Sequence, residues 1–443
     1  MTRPNVSTDE PGRLLVFVMT AALVGAGTGA MAGSFRLMLS AADDLRRDLT
    51  MRSHGTWWGL PVLVLGCAAA TALAAALVHR VEPHAEGSGI PRVEGVVEGR
   101  TEPGRRRILP VKYVGGLLSM GAGLALGREG PCVQMGGNIG IWMARLTRRG
   151  AFDLRVLVAS GAAAGLATAF NAPIAGGVFV LEELVKRFEL RTTLATLTAS
   201  GTGFIVAHVL VGNDTDFHMP PLDDPRLSQA PVVAVVGVVC GLVGVAYNHA
   251  IIAALRIADA SRVPVELRAG LIGAGFGLVG WFLPDLVGAG NHLTQDALTG
   301  SGALVTVCLV LMLRAVLGVV AYAAATPGGL FAPMLVLGSY IGLAVGLAGQ
   351  ALVPSVTPEP AGLALIGMAA FFTASVRAPV TGLILATELT GTTNLLAPML
   401  GACALAMLIA TSLRCRPIYE LLTDRAVRAA RQNVAERRPL AHD

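Results

Sequence analysis

Two acids stand where an apolar chain has no ordinary use for them. Glu129 lies in Gly127-Arg128-Glu129-Gly130-Pro131, between the polar-poor runs 113–126 and 132–143. A carboxylate there costs on the order of several kcal/mol unless it is paired, hydrated or protonated. Gly127 and Gly130 free the backbone for close approach, and Pro131 suits the first turn of a helix. A helix starting here aims unpaired N–H groups and a positive dipole end at one spot. The stretch therefore reads as an anion site containing a titratable acid; the plainer alternative is a loop acid that caps a helix. The second acid belongs to Glu182-Glu183, at the end of the apolar segment 174–184. Adjacent residues project about 100° apart on a helix, so at most one of the two faces a given pore. Two solvated helix-end acids beside Lys186 and Arg187 are the other reading.

Two more breaks resemble the first. Gly87-Ser88-Gly89-Ile90-Pro91 and Gly329-Leu330-Phe331-Ala332-Pro333 cannot continue a membrane helix, and each offers glycine-exposed backbone amides. Broken backbone at membrane depth is tolerated where it lines a cavity or is buried in protein; for 87–91 an ordinary surface turn also fits. Lysine is nearly absent from the apolar runs, Lys112 being the exception. N–H groups, hydroxyls and helix N-termini suit a small monovalent anion held loosely enough to leave again. A phosphate or organic-acid site would use several arginines instead. An ionised Glu129 in such a site competes with the anion for the same donors, and protonation frees them. An ordinary glutamate titrates near ~4.3, and burial raises that. Acid and anion alternating at one locus is the minimum for proton-coupled exchange. Tyr419, between the last span and the tail, is either an interfacial belt residue or a hydroxyl turned inward to the anion.

These residues need a membrane scaffold, and the composition supplies one. The chain has 443 residues, 53% of them hydrophobic and 14% charged, against about 25% charged in soluble domains. Long apolar runs such as 14–33, 60–78, 232–246 and 303–325 predict an all-α polytopic membrane protein; a β-barrel would show short alternating segments. The net charge of +5 is not a nucleic-acid signal, because the arginines crowd the loop 92–107, the segment 186–191 and the tail. Those three regions belong in the cytoplasm by the positive-inside rule. The six cysteines are scattered through apolar runs and read as small hydrophobes. No metal motif appears, and no cofactor is expected. The N-terminus lacks the order of a signal peptide.

In chain order, residues 1–13 are a cytoplasmic tail, 14–211 a first membrane repeat with a polar link at about 41–56, 212–228 a polar loop, 229–419 a second repeat, and 420–443 a basic cytoplasmic tail. The repeat rests on paired signals. Gly161 lies ten residues before Asn171-Ala172-Pro173, and Gly367 lies ten residues before Arg377-Ala378-Pro379. Ala172-Pro173-x-x-Gly176 leads to Glu182, and Ala378-Pro379-x-x-Gly382 leads at the same interval to Glu388. Gly127-x-x-x-Pro131 with Gly136 matches Gly329-x-x-x-Pro333 with Gly338. Repeats interrupted by Gly and Pro at corresponding places point to a transporter whose site lies at the repeat interface near the midplane.

At this point the residues reach a family. Gly87-Ser88-Gly89-Ile90-Pro91, Gly127-Arg128-Glu129-Gly130-Pro131, Gly329-Leu330-Phe331-Ala332-Pro333, the 171–183 stretch and Tyr419 stand in an order that closely resembles the CLC family of chloride channels and chloride/proton antiporters. The resemblance spans about 80–420. It implies two inverted repeats of tilted and re-entrant helices, and a homodimer with one pathway per subunit in a bacterial inner membrane. It implies chloride held by the Ser88 and Tyr419 hydroxyls and by the Leu330 and Phe331 backbone amides. Glu129 is then the gating and outer proton-transfer acid, and Glu183 the inner proton-transfer acid of the antiporter branch. Ser88 is the serine of chloride-preferring members. Leu330 replaces the more usual isoleucine, with little effect expected on a backbone ligand. Arg92 stands where some bacterial relatives carry an acid. No C-terminal nucleotide-binding domain fits after Tyr419, so the expectation is a compact bacterial-type exchanger.

The alternative on the same scaffold is a passive, proton-gated chloride channel, against which Glu183 speaks. An intramembrane enzyme using Glu129 as acid/base is a further class, but no nucleophile–base pair or metal motif lies in any apolar run.

Overall fold

Lipid offers no hydrogen bonds, so a spanning chain must satisfy its backbone within helices or a closed barrel. The computed structural model describes residues 11–212 and 217–436. Residues 1–10 of the expected N-terminal tail, 213–216 of the polar loop and 437–443 of the basic tail lie outside the described residues. Among the described residues there are 17 α-helices and no strand beyond two isolated bridges. Eight helices among the described residues are long and apolar enough to cross a membrane.

The first half comprises α1 (Pro11–Ser53), α2 (Gly59–Val81), α3 (Ile90–Val97), α4 (Ile108–Gly121), α5 (Glu129–Leu146), α6 (Ala151–Phe170), α7 (Pro173–Phe179) and α8 (Leu190–Val211). A π-helical turn, Val180–Val185, continues α7. The second half comprises α9 (Ala230–Ala260), α10 (Val265–Phe282), α11 (Asn291–Leu298), α12 (Leu304–Tyr322), α13 (Phe331–Leu352), α14 (Pro360–Val376), α15 (Pro379–Thr390) and α16 (Leu396–Ser412). The final helix is α17 (Ile418–Glu436). Long and short helices thus recur in one order, α1–α8 against α9–α16. Packing recurs with them: α5 on α6 as α13 on α14, and α1 on α8 as α9 on α16. The pairs α2 with α10, α7 with α15 and α5 with α13 join the halves.

The core sits on α6 and α14. Every residue of α14 is buried, as is α6 from Val156 onward. Both are rich in Ala and Gly, which lets neighbouring backbones come close. A Cβ on Gly136 of α5 would lie 2.1 Å from the Gly161 carbonyl oxygen of α6, and the converse contact is also 2.1 Å. Gly338 and Gly367 repeat this contact between α13 and α14 at 2.5 and 2.3 Å. The peripheral helices instead turn large apolar side chains outward, Leu65 at 67% and Val305 at 71% exposed. Helices apolar on both inner and outer faces belong in lipid.

One expectation is corrected. No polar link interrupts 41–53, because α1 runs unbroken to Ser53. Its polar residues are satisfied in place: Arg46 pairs with Asp43 at 2.8 Å and donates to the Gly121 carbonyl at 3.0 Å. The Thr50 and Ser53 hydroxyls donate back to the Arg46 and Leu49 carbonyls.

Candidate anion and proton site

The three broken segments meet. Gly127 and Gly329 exchange both backbone hydrogen bonds, each at 2.8 Å. Gly87 N–H donates to the Thr326 carbonyl at 3.1 Å, and Gly328 N–H donates to the Gly87 carbonyl at 3.0 Å. Segments about 40 and 200 residues apart in sequence are thereby laced into one backbone knot. Close approach demands the glycines. A Cβ on Gly130 would sit 2.3 Å from the Ser88 Oγ, and one on Gly328 would sit 2.5 Å from the Leu126 side chain. Gly87 and Gly89 hold φ of +61° and +80°, a region that glycine enters without a steric penalty.

Each knot strand feeds a helix: α3 from Ile90, α5 from Glu129, α13 from Phe331. The first-turn N–H groups of these helices have no partner inside their own helix. Ser88 is 1% exposed and Tyr419 fully buried, and neither hydroxyl has a hydrogen-bond partner among the described residues. An unsatisfied buried hydroxyl costs about 1–3 kcal/mol, which an occupying anion would recover. Leu330 and Phe331 are fully buried. Phe331 is packed against Phe170, Phe179 and Phe372 at centroid distances of 4.9, 5.6 and 4.4 Å. Phe179 in turn packs edge-on to Tyr419 at 6.4 Å. The rings fix the start of α13 against the tyrosine.

Glu129 is 2% exposed at the first position of α5. Its Oε2, with the Ala332 backbone N and Cβ of α13, crowds the space beside the Gly127 Cα. Arg128 points away and donates to the Ala169 carbonyl at 3.0 Å. Glu129 lines a narrow cavity with Phe170, Phe217, Asn291 and Thr294. Ser88 opens to a different cavity, of about 610 Å³, walled by Arg92, Arg100, Tyr322 and Thr423.

The acid pair separates as its geometry requires. Glu182 caps α15, accepting from Val380 N–H at 3.0 Å and from the Thr381 N–H and hydroxyl at 2.7 Å each. Its repeat counterpart Glu388 caps α7, accepting from Ile174 N–H at 3.0 Å and Ala175 N–H at 2.7 Å. Neither is a solvated helix-end acid. Glu183 turns inward on the π-helical turn, 5% exposed, with Oε1 lacking any donor. Phe179, packed edge-on to Tyr419, immediately precedes the π-helical turn that bears Glu183.

Sequence reasoning noted Lys112 without giving it work. Its ammonium is fully buried and donates to the Ala85, Glu86 and Gly87 carbonyls at 3.0, 3.5 and 2.6 Å. Arg314 was passed over entirely. It is 2% exposed and donates to the Leu286, Gly288 and Ala289 carbonyls at 3.0 Å each. The signal was available: Arg314 stands at the same offset from Lys112 as Gly329 from Gly127. Glu94 was likewise missed, since an acid in a basic loop gives no sign of burial.

A family model described as voltage gated chloride channel matches residues 70–411. The H(+)/Cl(-) exchange transporter ClcA of Vibrio parahaemolyticus is 35% identical over 93% of this chain and 90% of that protein. The protein of the same name from Vibrio cholerae is 38% identical over 80% of this chain and 77% of that one. Among solved structures, a slow cyanobacterial Cl-/H+ antiporter superposes with a TM-score of 0.90 at 32% identity, over 94% of this chain and 99% of that one. The chain belongs to the CLC family of chloride channels and chloride/proton antiporters. It is an integral membrane protein of that family's helical fold.

Proposed function

We propose that this protein is a secondary active transporter that exchanges chloride for protons. The observation that carries this reading is the pair of unpartnered buried hydroxyls, Ser88 and Tyr419, set among helix N-termini that also hold the buried acid Glu129, with a second buried acid, Glu183, on the turn after α7. The names of the relatives, H(+)/Cl(-) exchange transporters, support it.

In this reading chloride accepts hydrogen bonds from the Ser88 and Tyr419 hydroxyls and the Leu330 and Phe331 N–H groups. Gly87, Gly89, Ile90 and Pro91 shape the α3 end, Gly127, Arg128, Gly130 and Pro131 the α5 end, and Gly329, Ala332 and Pro333 the α13 end. Ionised Glu129 lies across the donors of α5 and α13 and excludes an anion from them. Protonation cancels its charge and its claim on those N–H groups, and the anion moves in. Glu183 supplies or receives the proton from the cytoplasmic side. Two charges of one sign cannot share the donors, so carboxylate and anion alternate there, and exchange follows as the proton and the anion leave to opposite sides of the membrane. Both termini lie in the cytoplasm, the membrane is the bacterial inner membrane, and the assembly is a homodimer with one pathway per subunit.

The test uses purified protein in sealed liposomes with a chloride gradient, no pH gradient and the potential clamped at zero. Chloride-driven proton movement is expected. Glu129→Gln and Glu183→Gln are each expected to abolish it while chloride still passes. Rapid chloride flux with no pH change would make the protein a passive channel, and an unimpaired Glu183→Gln would remove Glu183 from the proton path.

A further inference from the structure

A second buried carboxylate lies beside the proton acid, and its partners come from two separate elements. Glu94 of α3 is fully buried. Its Oε1 accepts from the Lys186 ammonium at 2.8 Å and its Oε2 from the Thr423 hydroxyl of α17 at 3.2 Å. Lys186 also lies 3.7 Å from Glu98 of α3 and 3.9 Å from Glu420 of α17. It is the residue that ends the π-helical turn, at φ +56°, three positions beyond Glu183. A non-glycine residue in that conformation costs energy and persists only where its surroundings hold it.

The charges facing Glu183 are Lys186, Glu94, Glu420 and Glu182. Three are acids, and Lys186 alone in that group opposes them. Burial works against the charge on Lys186, but its hydrogen bond to Glu94 and the nearby Glu94, Glu183 and Glu420 carboxylates outweigh burial and hold the ammonium above its ordinary value. The side chain is 39% exposed, so it bridges the buried acids and the surface. Breaking a buried ion pair by removing one partner leaves an uncompensated charge, and here that charge would stand next to the proton acid.

We propose that Lys186 is a positioning residue for proton transfer, pinning the turn that bears Glu183 to α3 and α17 and balancing the Glu94 carboxylate beside it. Lys186 acts through Glu183 and touches neither ion. The inference rests on the exchange reading, with Glu183 as the inner acid.

The experiment compares wild type, Lys186→Met, Lys186→Arg and Glu94→Gln in liposomes, reading chloride flux and chloride-driven proton uptake against cytoplasmic-side pH. An acid that loses a nearby cation holds its proton more tightly, and one that loses a nearby anion holds it less tightly. Lys186→Met is therefore expected to move half-maximal proton uptake to higher pH. Chloride flux is expected to stay within about twofold, as the anion site is untouched. Glu94→Gln is expected to move the midpoint to lower pH, and Lys186→Arg to leave it in place. Shifts of one sign in both variants, no shift in either, or a parallel fall of both fluxes at an unchanged midpoint would each overturn the proposal. If Lys186→Met does not assemble, the direction of the Glu94→Gln shift decides alone. Absence of proton uptake in wild type would sink the exchange reading itself, which the parallel control separates from a failure of this inference.

Discussion

At the residue scale the site is made of groups left unfinished. Tyr419 and Ser88 bury hydroxyls that the protein does not satisfy, and such groups are kept where something else completes them. A hydrogen bond to a charged partner contributes about 1.5–3 kcal/mol. Tyr419→Phe and Ser88→Ala are therefore each expected to weaken chloride binding by roughly tenfold or more, read by calorimetric titration in detergent. Unchanged binding in both would place the anion elsewhere. Glu183 shows the same incompleteness on one oxygen, whereas Glu182, its neighbour in sequence, is saturated by three donors of α15. One residue of rotation separates an acid that closes a helix end from one left with a bare oxygen.

At the element scale, the short helices are held by charge and the long ones by closeness. Glu182 and Glu388 cap α15 and α7 reciprocally, each half of the molecule closing a helix end in the other. A carboxylate on N-terminal N–H groups satisfies orphan donors and opposes the dipole. Replacing either acid by glutamine keeps the shape and removes the charge, with an expected loss of about 1–2 kcal/mol each. Thermal unfolding in detergent measures it, and two unshifted melting curves would deny the caps any weight. The α5–α6 and α13–α14 contacts leave no room at all. Gly136→Ala or Gly338→Ala puts a methyl within 2.1 or 2.5 Å of a facing carbonyl oxygen. Overpacking of this kind costs about 1–3 kcal/mol or more. Because these helices begin at the knot, the displacement is also expected to lower chloride turnover, measured by efflux from liposomes.

At the scale of the whole molecule, two halves of one design carry two buried cations in corresponding places. Lys112 of α4 gathers the carbonyls of 85–87, and Arg314 of α12 gathers those of 286–289. Each loop ends in a glycine of left-handed conformation, Gly89 or Gly290, immediately before a short helix. Only the first loop carries a hydroxyl, Ser88, where the second has Ala289. Lys112→Met would orphan up to three buried carbonyls, at about 1–3 kcal/mol for each one left without a donor. It is expected to lower the melting temperature and to weaken chloride binding together, since the Ser88 loop loses its anchor. A variant that melts earlier but binds chloride normally would confine Lys112 to stability.

The sequence by itself determined the solvent, the helices, the repeat and the breaks. Hydrophobic run length decides what spans lipid, and Gly and Pro decide locally where a helix cannot go on. The glycines at 136, 161, 338 and 367 were legible as paired signals at nearly one offset, 202 and 206 residues, though not as two mutual contacts. Tertiary structure decided everything that depended on partners far along the chain. It placed Glu182 on α15 and Glu183 inward, and it carried α1 through the charged stretch that reads as a link. It also buried Glu94 under a lysine 92 residues away. Burial, pairing and the space beside a glycine arise from which distant atoms come near. A one-dimensional pattern records that only where the repeat happens to write it twice.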